Sequence, residues 1–205
     1  MMTPVSEAED AELMRRVGGG DDEAFRVLVE RHQHAVLGTI AKMLGSHSVA
    51  EDLAQEVFLR VWKSASRYRP EAKFLTWLMT ITRNLVFNEC RRTRRSRLVA
   101  MEDLGGGSGA GWEASDVRQP SPAENVQEEE LRLAIERALA GLPEKARLAV
   151  VLRRYEELSY EEIATVLETS VPAVKSLLFR ARNDLRASLS GYLQIEKGAP
   201  APPSR

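Results

Sequence analysis

From Leu98 to about Glu124 the chain carries GGGSGAG and then QPSPAE, with no usable apolar period. Gly and Ser leave the backbone free and Pro withdraws hydrogen-bond donors, so this composition reads as a linker. It constrains the fold more than any other feature, because it splits 205 residues into two halves that must each bury a core. As a flexible coil its 27 residues have an r.m.s. span of roughly 29 Å and can be pulled to about 90 Å. Domains joined this way can adapt to a partner much larger than themselves.

The net charge of −1 hides an uneven distribution. Residues 21–97 hold 14 bases against nine acids, residues 98–127 one base against five acids, and residues 128–205 twelve of each. A basic surface therefore sits in the first half, beside an acidic connector. Cys90 is the one cysteine, so no internal disulfide and no CxxC zinc site can form. The arginines around it can lower its thiol pKa, which makes redox sensitivity one reading and a chance cysteine the other. With an acidic start and no run near 18 apolar residues, the expectation is a soluble cytoplasmic protein without signal peptide or membrane insertion.

In the first half, Asp21 and Asp22 cap a long helix through Phe25, Leu28, Val29, His32, Val36, Ile40 and Leu44, which Gly45 ends. His32 and His34 are two apart and diverge on a helix, so they make no metal pair. Ser48 is expected to cap the next helix, whose Asp52, Gln55 and Glu56 form an acidic and polar patch edged by Phe58, Leu59 and Trp62. Such a patch suits docking of a basic protein, with aromatics desolvating the centre, although a core face with a solvated rim has the same pattern. After a loop through Tyr68, Arg69 and Pro70 comes FLTWLMTITRNLVFNECRRTRRSR. Phe74, Leu78, Ile81 and Leu85 keep a core-facing helical spacing, while Trp77, Thr80, Asn84, Asn88, Arg91 and Arg95 share another side. Asn is a poor helix former, so two on one face point to a use other than helix propensity. Aromatics that stack, amides that pair and cations that hold phosphates suit unstacked nucleic acid. The alternative is a core helix with a solvated basic end.

The second half reads as four helical segments. Ser159 and Glu162 form a capping box before YEEIATVLE, and Ser170 caps a longer helix in which Pro172 lies in the first turn. A short helix, a three- or four-residue turn and a longer helix have helix-turn-helix spacing. Val174, Leu178, Ala181 and Leu185 should face inward, whereas Lys175, Phe179, Arg182 and Arg186 share another face with Ser176 and Arg180 beside them. One greasy and one cationic face fit a helix in the DNA major groove.

DLAQEVFLRVW at Asp52–Trp62, FLTWLMTITRN at Phe74–Asn84 and LSYEEIATVLETSVPAVKSLLFRAR at Leu158–Arg182 together resemble a sigma-70 family initiation factor of the small extracytoplasmic-function group. The resemblance implies an all-α fold of two small helical domains joined by the linker, the second ending in the helix-turn-helix. Region 2 would occupy residues 10–97, the linker 98–124, region 4 residues 125–190 and a flexible tail 191–205. It further implies that Asp52, Gln55, Glu56, Phe58 and Trp62 dock on the clamp helices of the largest subunit of core RNA polymerase, with region 4 near the flap. Tyr68, Arg69, Phe74, Trp77, Asn84, Asn88 and Arg91 would capture the exposed −10 strand, and Lys175, Ser176, Phe179, Arg180 and Arg182 would read the −35 duplex of promoter DNA. Pro172 departs from a Gly common in the family, and Leu177 from a second basic residue. An anti-sigma factor is an implied partner. Glu102, Asp103, Glu113, Asp116 and Glu124 would either occupy a basic channel of the polymerase or act as a solvated spacer.

Opening about ten base pairs costs on the order of 14 kcal/mol, while each captured base returns only ~1–3 kcal/mol. The Trp77 face alone cannot melt a promoter, so a partner must hold the strands. A ligand-sensing or dimerising DNA-binding regulator is the rival reading; it leaves the Trp77–Arg95 stripe and the acidic patch as accidents. An enzyme is a remote third, because no carboxylate dyad, activated nucleophile, metal spacing or phosphate-binding glycine loop is present, and no cofactor or metal is expected.

Overall fold

The structure, a computed structural model, describes residues 7–103 and 125–192, all of whose long elements are helices. Helix α1 spans Glu7–Gly18, α2 Asp22–Leu44, α3 His47–Ser64 and α4 Phe74–Asp103; a 3-10 turn at Ala65–Arg67 follows α3. In the second half lie α5 (Asn125–Ala140), α6 (Glu144–Arg154), α7 (Tyr160–Leu167) and α8 (Val171–Ser188).

Local chemistry sets most of these limits. Asp21 accepts from the backbone N–H of Ala24 and starts α2; Gly45, at φ 71°, ends it by donating its N–H to Ala41. Ser159 and Glu162 cap α7 reciprocally, and the Ser170 hydroxyl accepts from Ala173 at the head of α8. Two expectations shift. Helix α3 begins at His47 with Ser46, not Ser48, before it, and neither serine caps through its side chain. Helix α4 runs on to Asp103, taking in the first six residues of the expected linker, since nothing before the glycine run breaks it. Glu113, Asp116 and Glu124, the side chains of Glu102 and Asp103, and residues 193–205 lie outside what is described.

The first unit closes over Leu28, Val36, Ile40, Val57, Val61, Leu78 and Val86, and the second over Leu148, Leu152, Ile163, Leu167 and Val174. The two units also pack on each other, α4 against α7 and α2 against α6. Arg147 is central to that seam. Its guanidinium donates to the Met43 carbonyl at 2.7 Å and to the carbonyls of Leu142 (3.2 Å) and Ala140, placing one cation at the C-terminal ends of α2 and α5. Arg94–Glu144 at 2.6 Å and Lys73–Glu162 at 3.3 Å also cross the seam.

Candidate polymerase and nucleic-acid interface

Helix α4 starts under a cluster of aromatics. Tyr68 and Trp77 meet edge to face with centroids 5.0 Å apart, and Phe74 lies 5.8 Å from Trp77 and 6.2 Å from Tyr68. Tyr68 and Trp77 are half-buried, leaving part of each ring open to a ligand. Phe74 is 2% exposed, which corrects its expected direct contact with a base: as the first residue of α4 it points into the core and backs the other two rings. Further along, Asn84, Asn88 and Arg91 are exposed in one line, and Arg91 donates to the Asn88 amide oxygen at 2.6 Å. Arg69 is exposed in the loop beside Tyr68 and donates to the Tyr68 carbonyl.

Arg83, on the flank of this line, is buried, a position the stripe pattern did not single out. Its Nη2 donates to Asn84 Oδ1 at 2.5 Å and to Glu168 Oε1 at 2.6 Å. Glu168 ends α7 in the left-handed region at φ 50°. The turn of the second unit therefore stands on the amide end of the α4 face.

Helix α3 presents Asp52 and Gln55 to solvent and Glu56 at the rim, paired with Arg60 at 2.8 Å. Phe58 belongs to the core at 8% exposure, and Trp62 is half-buried edge-on against Phe25; of the expected apolar edge, Leu59, 51% exposed, faces solvent most openly. Between α2 and α3 lies a groove of about 540 Å³ lined by Phe25, Val29, Leu37, Gln55, Phe58 and Leu59. Carboxylates along an apolar groove match a partner helix with both greasy and basic positions.

In α8 the inward stripe holds, with Val174, Leu178 and Ala181 buried and Leu185 partly so. Lys175, Ser176, Phe179, Arg180, Arg182 and Arg186 are all exposed, and Phe179 at 63% is an aromatic with no protein surface to cover it. Of the two readings of Cys90, its surroundings support the unactivated thiol. Burial, then the Glu144 charge, pushes its pKa up, outweighing Arg147 and Arg94, so it is not an activated thiol.

Residues 28–96 match the family model described as Sigma-70 region 2, and residues 132–185 the one described as Sigma-70, region 4. The chain is 36% identical over 178 residues to the ECF RNA polymerase sigma-E factor of Escherichia coli K12, covering 84% of this chain and 90% of that relative. The chain belongs to the extracytoplasmic-function group of the sigma-70 family. This sigma factor is also 32% identical over 192 residues to the RNA polymerase sigma-H factor of Pseudomonas aeruginosa, covering 93% and 98% of the two chains. Its fold is similar to that of CnrH, solved with the cytosolic domain of CnrY (TM-score 0.66, 24% identity, 89% and 98% covered). It is likewise similar to the sigma factor RpoE of Bartonella quintana, solved with the anti-sigma factor NepR (TM-score 0.62, 23% identity, 81% and 96% covered).

As a sigma factor the chain directs RNA polymerase to promoters. Among the described residues no helix is long and apolar enough to cross a membrane, and no cluster of His, Cys, Asp and Glu is arranged to hold a metal ion.

Proposed function

We propose that this sigma factor is a non-catalytic initiation factor of the cytoplasm that divides promoter recognition among three of its helices. On α3, Asp52, Gln55 and Glu56, with Leu59 and the edge of Trp62, grip the clamp helices of core polymerase. On α4, Tyr68 and Trp77 stack with opened −10 bases, Asn84 and Asn88 pair with base edges, and Arg69 and Arg91 hold phosphates. On α8, Lys175, Ser176, Phe179, Arg180 and Arg182 meet the −35 duplex. The groove between α6 and α8, lined by Val150, Arg153, Leu178 and Leu185, suits an apolar helix of the polymerase flap.

The observation that carries this reading is the placement of two different exposed faces on one small unit, an acidic apolar-edged one on α3 and an aromatic, amide and arginine one on α4. Strand capture returns only ~1–3 kcal/mol per base against about 14 kcal/mol to open ten pairs. A capture face is therefore useful only on a molecule that also grips the strand-holding machine. In the closed arrangement Glu168 stands beside the Asn84 amide, sharing its Arg83 partner, so α7 has to part from α4 to clear that end of the face. Core binding, by engaging the two units at separate places, supplies that parting.

An anti-sigma protein is the matching regulator. It would hold the chain idle by covering the acidic apolar groove of α3; a protein of similar fold is solved with an anti-sigma factor. Transcription in vitro from a genomic library with added core polymerase tests the whole reading. Selected start sites preceded by common −10 and −35 sequences are expected; repression or no effect would favour the ligand-sensing regulator instead.

A further inference from the structure

Helix α1 lies outside the segment that matches region 2, which begins at residue 28, yet it is built into the floor of the −10 face. Asp10, Leu13, Met14 and Val17 share the inward side of α1; three are apolar core residues and the fourth is a carboxylate only 5% exposed. A buried carboxylate needs partners, and Asp10 has two on α2. Its Oδ2 accepts from His32 Nε2 at 2.8 Å, and its Oδ1 from Arg31 Nη1 at 3.2 Å.

The other side of His32 matters more. Its ring packs on Phe74 with centroids 4.9 Å apart, tilted by 56°. Phe74 in turn backs Trp77 and Tyr68, whose mutual edge-to-face contact forms the stacking platform. The chain of contact therefore runs from a carboxylate on α1, through an imidazole on α2, to the rings at the head of α4. A second support reaches the same loop from the same helix: a Cβ on Gly18 would lie 3.1 Å from the Ala65 carbonyl oxygen and 3.4 Å from Ser66 Cα, so the end of α1 presses directly on the turn leading to Tyr68. Asp10 is also near enough that its charge adds to burial in raising the Tyr68 phenol pKa.

We propose that α1 is part of the −10 capture site, with Asp10 and His32 as positioning residues. Asp10 fixes the His32 ring, His32 fixes Phe74, and Phe74 holds Tyr68 and Trp77 ready for an unstacked base. Apolar packing alone holds α1 in place, since Leu13, Met14 and Val17 already bury that face; the carboxylate sets the orientation of one ring. This inference rests on the assignment of Tyr68 and Trp77 to the −10 strand.

The test uses holoenzyme reconstituted with core polymerase and a fluorescent single-stranded oligonucleotide carrying the −10 sequence mapped for the wild-type protein. Asp10→Ala should weaken strand binding about tenfold, the contribution of one stacked base, with core affinity and −35 duplex affinity within about twofold of wild type. Asp10→Asn, which keeps an acceptor for the His32 N–H, should stay within about threefold. The pair Asp10→Leu with His32→Leu leaves no buried polar group unpaired and so keeps the fold; it should show the same tenfold loss, and it decides the matter if Asp10→Ala does not fold. Wild-type strand affinity in the double variant, or parallel loss of core and −35 binding, overturns the proposal. Trp77→Ala separates the two layers of argument. If it too leaves strand binding unchanged, the −10 assignment has failed; if it weakens binding while the Asp10 variants do not, the positioning role alone has failed.

Discussion

Glu168, in the turn between α7 and α8, reaches Arg83 on α4 with Oε1 2.6 Å from Nη2, and the same nitrogen lies 2.5 Å from the Asn84 amide oxygen. The second unit and the exposed face of α4 are thereby in direct contact. The carboxylate of the second unit and the Asn84 amide thus share one guanidinium nitrogen, within a few ångströms of surface.

Replacing Glu168 with Lys should set two cations against each other there and part the units. The expected outcome is a larger radius of gyration in solution scattering, and several-fold tighter binding of a −10 oligonucleotide by the protein without core. Each unit should keep its helix content, because Glu168 is exposed and makes no core contact. An unchanged radius and affinity would mean that the apolar contact between α4 and α7 holds the units closed by itself.

Charge reversal at Asp52 and Glu56 should act elsewhere. Both side chains lie at the surface of α3, and the Glu56–Arg60 pair is worth well under about 1 kcal/mol, so Asp52→Lys with Glu56→Lys should melt within a few degrees of wild type. Core binding measured by pull-down should be abolished, since a docking face depends on complementary charge for encounter and register. Retained affinity would move the polymerase contact off α3.

On α8, Arg180→Ala should weaken −35 duplex binding by about 1–3 kcal/mol if it reads a base edge, with relaxed specificity at one position. If it holds a phosphate, binding weakens evenly across sequences and the slope of log affinity against log salt falls by about 1. Phe179→Ala should lose affinity without losing stability, because its ring is solvent-exposed. Titration of duplex at several salt concentrations distinguishes these outcomes.

Cys90 offers a test by pH. Its thiol titrates above the ordinary range because burial disfavours the thiolate and Glu144 repels it. Less thiolate is then present at pH 8 than on a free cysteine, so alkylation by iodoacetamide should be slower in the folded protein, and should accelerate as pH rises or denaturant is added. Folded-state alkylation at or above the rate of a small thiol would contradict this environment.

Ser159→Ala removes one half of the capping box and should destabilise α7 by about 1 kcal/mol. Glu162, the other half, also meets Lys73 across the seam at 3.3 Å. A melt of the isolated change should therefore show a lower midpoint, together with looser packing of α7 on α4 in hydrogen exchange.

Helix identity was legible because each helix carries its own period and punctuation: Asp21 and Gly45 bound α2, Ser159 with Glu162 starts α7, and Ser170 starts α8. The exposed faces were legible for the same reason, since residues spaced by three or four must share a side. Phe74 was harder. The stripe placed it in the core and the family pattern at the strand, and only the position of its neighbours decided for the core. Phe58 likewise turned inward, leaving Leu59 to meet solvent. Asp10 left one readable trace, an acid in register with Leu13, Met14 and Val17, but nothing local says that its partner is His32, 22 residues away.

By itself, then, the sequence determined seven of the eight α-helices among the described residues, the caps of α2, α7 and α8, the two-unit division and the exposed faces of α3, α4 and α8, because these follow from interactions among residues within a few positions of each other. Tertiary structure alone decided what those faces touch. The run of contacts from Asp10 to Trp77, the seam through Arg147, and the closure of Glu168 on Arg83 join residues far apart in the chain, with charges placed where burial or a distant helix end supplies the partner. No local period encodes such a pairing, since it depends on where the packing of apolar stripes brings two helices together.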